Sequence, residues 1–126
     1  LKKNKKLQET LYKHKNCLEQ GEKTMDQELI ALNLISNSGT ARTKAFEALH
    51  KAREGKYEEA KMLLKESEES SLLAHNAQTE LLQAEANGDN SNYSIIMVHA
   101  QDHLMTSILA KELIEEMVTM YKELKK

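Results

Sequence analysis

An all-α fold, an antiparallel three-helix bundle, is predicted for this 126-residue chain by three observations. Leu, Ala, Glu and Lys dominate, while Pro and Trp are absent and aromatics are few, a composition that disfavours sandwiches and barrels. Apolar residues recur at steps of three and four, the spacing of one helix face. Turn signals stand between the periodic runs, at Gly55 and at Asn87-Gly88-Asp89-Asn90. Three helices of roughly 30 residues would each be about 45 Å long. Such a bundle is slim for a lone subunit and suits lateral self-association.

The length bounds the chain at one domain. A net charge of −2 gives no strong electrostatic case for nucleic acid or a membrane surface. No apolar run approaches the ~20 residues that span a bilayer, and no signal peptide is recognisable. The single Cys17 suits a reducing compartment, so a cytoplasmic location is expected.

Each element follows from its local sequence. Residues 1–24 begin Lys-rich and are weakly amphipathic, with Gly21 interrupting them; they read as a partly ordered or variable solvated lead, with a basic tether for an anionic partner as the lesser reading, and residues 25–126 as the domain. The first helix is expected to open near Thr24 or Met25, with Asp26 and Glu28 favourable in its first turn. Leu29, Leu32 and Ile35 form one stripe and Ala41, Ala45, Ala48 and Ala52 another. The stretch Ser36-Asn37-Ser38-Gly39-Thr40 between them is a thin waist where another backbone or a ligand can approach. Gly55 should cap this helix in the left-handed region.

The second helix is expected over 57–86, with Tyr57, Ala60, Leu63, Leu64, Leu73, Ala77 and Leu81 on its apolar side. Ser67, Ser71, His75 and Gln78 make its middle unusually polar. Ser91, Asn92 or Ser94 can cap the third helix, expected over 93–123. That helix carries two apolar stripes, so it needs neighbours on two sides. One stripe is Ile95, Val98, Met105 and Leu109; the other is Met97, Leu104 and Ile108, continued by Leu113, Met117 and Met120.

Asp102 interrupts the first of those stripes at a position where a helix–helix seam asks for an apolar residue. A carboxylate buried there alone would be costly. Two readings are open: a polar registry device or salt bridge, and a threefold axis on which three copies of Asp102 share a hard divalent cation such as Mg²⁺. His99 and His103 stack one turn apart beside the same seam. They are either incidental helix histidines, a zinc pair without the adjacent Glu of the metalloprotease motif, or a nucleophilic site in which an imidazole accepts phosphorus. No Gly-rich phosphate loop is present, so ATP is not expected as donor and another phosphoprotein would have to supply the group.

Three motifs now stand together in order: Asn37-Ser38-Gly39-x-Ala41-Arg42, Ala74-His75-x-x-Gln78-Thr79, and Val98-His99-Ala100-Gln101-Asp102-His103-Leu104-Met105-Thr106. With them the chain resembles, over about residues 25–126, the enzyme IIA component of the lactose/cellobiose/diacetylchitobiose family of the bacterial sugar phosphotransferase system. The resemblance implies a homotrimer of three-helix subunits and a phosphotransferase role. It implies phosphorylation of His99 on Nε2 by the histidine-containing phosphocarrier protein. The phosphoryl group then passes to a cysteine of the IIB component while the membrane IIC component moves a β-linked disaccharide. It implies Asp102, shared by three subunits, as the ligand of one Mg²⁺ per trimer, and supporting roles for His103, Gln101 and His75. The competing reading is a non-catalytic helical oligomerisation or interaction module.

Overall fold

The computed structural model describes residues 2–89 and 93–125. Three helices account for almost all of them: α1 at Lys2–Arg53, α2 at Tyr57–Ala86 and α3 at Ile95–Leu124. Both α2 and α3 pack along α1, and they meet each other over a smaller area. Short connections make successive helices antiparallel, so α1 and α3 run in the same direction.

The connections use the signals anticipated for them. After Arg53 the backbone turns through Gly55 at φ +79°, a region L side chains avoid. The Lys56 N–H donates 2.9 Å back to the Lys51 carbonyl, closing the helix end as a glycine cap does. Gly88, at φ +94°, turns the chain after α2. The Ser94 side chain accepts the Met97 N–H at 3.2 Å, capping α3; Ser91 and Asn92, the other candidate caps, lie outside the described residues, as does Asn90 of the turn.

Helix α1 does not open near Thr24 or Met25. It already runs from Lys2 and passes Gly21 without a break. One glycine costs a helix about 1 kcal/mol, and the Lys, Glu, Gln and Leu around it are strong helix formers. At 52 residues α1 is about 78 Å long, against about 45 Å for its partners, so its N-terminal half extends past the bundle. The side chains of residues 8–19 are exposed there, Asn16 excepted.

The interior is narrow and rich in small residues. One cluster joins Ala31 and Leu34 of α1 to Ala74 and Leu81 of α2 and to Met97, Ala100 and Leu104 of α3. A second, at the other end, joins Ala48, Ala52 and Ala60, with Tyr57, Val118 and Tyr121 against them. Between them lie the buried hydroxyls of Ser38, Ser67 and Ser107. Small side chains let the helix backbones approach closely, which is why so slim a bundle still excludes water.

Each helix has apolar residues that depart from expectation. Leu29 and Leu32 of α1 are exposed, while Ala31 and Leu34 face inward. Leu73, expected on the inner side of α2, is exposed, whereas Ala74 is fully buried. On α3, Leu113, Met117 and Met120 are exposed; Ser107, Lys111 and Ile114 continue the inner face instead. The step from Ile108 to Leu113 is five residues, which turns a helix by about 140° and carries the side chain off the inner face. At the thin waist of α1, an added Cβ on Gly39 would meet nothing within 4 Å: the space is open within the subunit.

A buried cation crosses the bundle. Lys111, at a core position of α3, bonds Glu68 of α2 and, at 3.3 Å, Glu115 one turn on. Burial works against its charge, but hydrogen bonds to Glu68 and Glu115 and the attraction of both carboxylates outweigh it and hold the ammonium above its ordinary 10.5.

A candidate phosphoryl-accepting site on the third helix

An apolar row runs along the outward side of α3. Ile95, Val98, Met105 and Leu109 are exposed, and Leu113, Met120 and Leu124 extend the row. Ile95 is 90% exposed, which shows how little of this face the subunit itself covers. Asp102 is exposed in the middle of that row. A contiguous apolar row of this kind is uncommon on a free surface and marks an interaction face.

His99 and His103 stand on one flank of the row. His99 is exposed and His103 half-buried. Their ring centroids are 4.6 Å apart with planes at 87°, so one edge faces the other ring. The four-residue helical step produces this pair, and the helix backbone fixes where it sits. The His99 ring is thereby open to solvent on one side and steadied by a neighbour on the other.

Gln101 lies on the opposite flank, because two helical residues are turned about 200° apart. Its Oε1 accepts the Gln78 Nε2 N–H of α2 at 2.5 Å, and the same Nε2 lies 3.9 Å from the Met105 sulfur. His75 is exposed on α2, one turn before Gln78; its carbonyl accepts the Thr79 hydroxyl at 3.0 Å. Among the described residues no hydrogen bond or ring contact joins His75 or Gln101 to His99. One subunit therefore brings His99 and His103 together but sets Gln101 and His75 on the α2 side.

Tyr93, just before α3, is tied to α2. The Tyr93 hydroxyl donates to the Glu85 carboxylate, linking the start of α3 to the end of α2 and raising the phenol above its usual 10.0. Among the described residues no three His, Cys, Asp or Glu side chains converge as a metal site.

Residues 29–122 match the family described as "PTS system, Lactose/Cellobiose specific IIA subunit". The chain belongs to that family. It is 41% identical over 96 residues to the lactose-specific EIIA component of Staphylococcus epidermidis, covering 76% of this chain and 92% of that protein. It is 42% identical over 98 residues to the N,N'-diacetylchitobiose-specific EIIA component of Escherichia coli K12, covering 78% and 84%. Among solved structures, the cellobiose-specific enzyme IIA of Bacillus anthracis matches with a TM-score of 0.76 at 45% identity, over 79% of this chain and 91% of that one. A chain of the Escherichia coli IIA(chitobiose)–HPr complex matches with a TM-score of 0.70 at 40% identity, over 79% and 97%. The fold class and the family expected from the three motifs are both borne out.

All three motifs lie within the matched span, whereas the protruding half of α1 precedes it. Sequence reasoning missed Lys111 and its carboxylates. The signal was available: Lys111 follows Leu104 by seven residues and precedes Glu115 by four, the marks of an inward position with an i,i+4 partner.

Proposed function

We propose that this chain is a phosphocarrier of the sugar phosphotransferase system. It accepts a phosphoryl group on His99 Nε2 from the histidine-containing phosphocarrier protein and passes it to a cysteine of a IIB component. The membrane IIC component then moves a β-linked disaccharide of the lactose, cellobiose or chitobiose type. The observation that carries this reading is an exposed His99, edge-on to His103, inside the motif of a IIA family whose solved relatives include a complex with HPr.

The geometry suits the chemistry. Transfer from nitrogen to nitrogen, or nitrogen to sulfur, is in-line displacement with little acid–base work, so alignment supplies most of the rate. The His99 lone pair attacks phosphorus as the donor's P–N bond breaks; the later acceptor thiolate attacks in turn and the imidazole leaves. A nucleophile on a continuous 30-residue helix is held in place before the partner arrives. The exposed side of His99 is one that a partner can cover, excluding water from the phosphohistidine.

The neighbouring face of α3, beside His99, is the surface through which three subunits assemble. Its exposed apolar row supports that reading, because association buries it. Asp102 then meets two copies of itself. Its exposed carboxylate offers hard oxygen donors, and three of them fit one Mg²⁺. Such an ion would cancel the mutual repulsion and hold the axis still. The module comprises residues 25–126 and works in the cytoplasm; no helix among the described residues is long and apolar enough to cross a membrane.

The test is phosphoryl labelling by phosphorylated HPr. His99→Ala should abolish it, while His103→Ala leaves part of it. Label retained in His99→Ala ends the assignment, and no label in the unmodified protein favours a purely structural helical module.

A further inference from the structure

The molecule divides electrostatically in a way the net charge hides. Residues 1–24 hold seven lysines against three glutamates, whereas residues 25–126 hold eleven Lys and Arg against seventeen Asp and Glu. The basic part is the protruding half of α1. Lys5, Lys6, Lys13 and Lys15 are exposed there, and Leu11 and Leu18 are 61% and 60% exposed. Leu11 and Leu18 are seven residues apart, two helical turns, so they lie on one narrow apolar line. No arginine occurs before Arg42.

The arm also leaves the bundle at a particular end. The core cluster nearest it joins Ala31 and Leu34 to Met97, Ala100 and Leu104, the stretch of α3 that contains His99. The opposite cluster, around Ala52 and Tyr121, lies at the far end.

We propose that this arm is a peripheral anchor for an anionic lipid surface. Lysines spread around a helix supply diffuse attraction to negatively charged headgroups. A thin leucine line on the same helix can lodge at the acyl boundary, as interfacial amphipathic helices do. Arginine, the side chain suited to bidentate recognition of a defined phosphate, is absent. The acidic remainder of the chain is repelled from the same surface, so the helix approaches by its basic end. On the phosphocarrier reading, the anchor holds the His99 end of the bundle close to the membrane component it serves.

The test is co-sedimentation of the full chain with vesicles of phosphatidylcholine containing 30% phosphatidylglycerol, against vesicles of phosphatidylcholine alone. Binding is expected to the anionic vesicles only, and to fall at least about tenfold between 50 and 500 mM salt, as surface charges are screened. The variant Lys5→Gln/Lys6→Gln/Lys13→Gln/Lys15→Gln should bind at least about tenfold more weakly, given the attraction each lysine contributes near such a surface. Leu11→Ser/Leu18→Ser should also weaken binding, with helix content checked by circular dichroism. Absence of binding at 50 mM salt, equal binding to neutral vesicles, or full binding by the glutamine variant overturns the proposal. So does preferential binding of soluble nucleic acid that displaces the vesicles. Phosphoryl labelling of the same samples keeps this result separate from the fate of the phosphocarrier reading.

Discussion

Ser38 and Ser67 should respond to alanine with opposite signs. Both side chains are fully buried in the same narrow interior. The Ser67 hydroxyl donates 2.6 Å to the Ala41 carbonyl of the neighbouring helix. The Ser38 hydroxyl has no hydrogen-bond partner within the subunit. A buried polar group left unpaired costs about 1–3 kcal/mol, and alanine is favoured over serine in a helix by about 0.5 kcal/mol. Against these stands only the loss of one oxygen's packing contacts. Ser38→Ala should therefore stabilise the protein by about 1–2 kcal/mol. Ser67→Ala loses a net bond of about 1 kcal/mol and regains about half of that through propensity, so it should destabilise by about 0.5 kcal/mol. Urea unfolding at one fixed protein concentration separates the two, since association also shifts apparent stability. A destabilised Ser38→Ala would overturn this expectation, because it would mean that the hydroxyl is satisfied in solution.

Other changes probe other features. Lys111→Met should stay within about 1 kcal/mol of the unmodified protein, because an apolar side chain of similar length replaces a costly buried charge. Glu68→Gln/Glu115→Gln strands the ammonium and should cost about 1–2 kcal/mol, a figure reduced because both carboxylates are partly open to solvent. The folded pKa of Lys111 lies above its ordinary 10.5, so its contribution is complete below that pH and disappears as pH rises through the folded value; Lys111→Met should flatten this alkaline limb of a pH–stability curve. Asp102→Leu should remove the bound divalent ion yet keep or tighten the trimer, read by metal analysis and sedimentation; a monomeric unmodified protein rules out the axial arrangement. Gly39→Ala should raise thermal stability by the equivalent of about 1 kcal/mol, since the new methyl meets nothing within the subunit.

Much of the fold was readable because single residues carried it. Gly55, with its positive φ, and Ser94, with its bond to the Met97 N–H, are local devices whose effect does not depend on the rest of the chain. The start of α1 was not readable. Gly21 is a weak break in a run of strong helix formers, and no Pro supplied a stop. The inner face of α1 was misjudged for a different reason: Leu29 and Leu32 are conspicuous in sequence, yet both are exposed while Ala31 and Leu34 face inward. Two registers of a helix were apolar, and only packing against α2 and α3 selects between them.

The site shows the same division. His99, His103 and Asp102 were legible as a cluster because they lie within five residues on one helix, where spacing alone fixes their relation. The separation of Gln101 from His99 followed from the same helical turn, but its pairing with Gln78 depends on how α2 is placed against α3. Across-helix contacts of that kind, including Lys111 with Glu68, are set by register between elements rather than by local pattern.

What decides the phosphocarrier reading is the position of the phosphate. The protein should be phosphorylated by phosphorylated HPr, quenched, and the modified atom located by nitrogen-15 and phosphorus NMR. A single acid-labile phosphoryl group on Nε2 of His99, lost on addition of a IIB component, is the expected result. A phosphate found on His103, His75 or any other side chain, or one that IIB cannot remove, would undo the assignment.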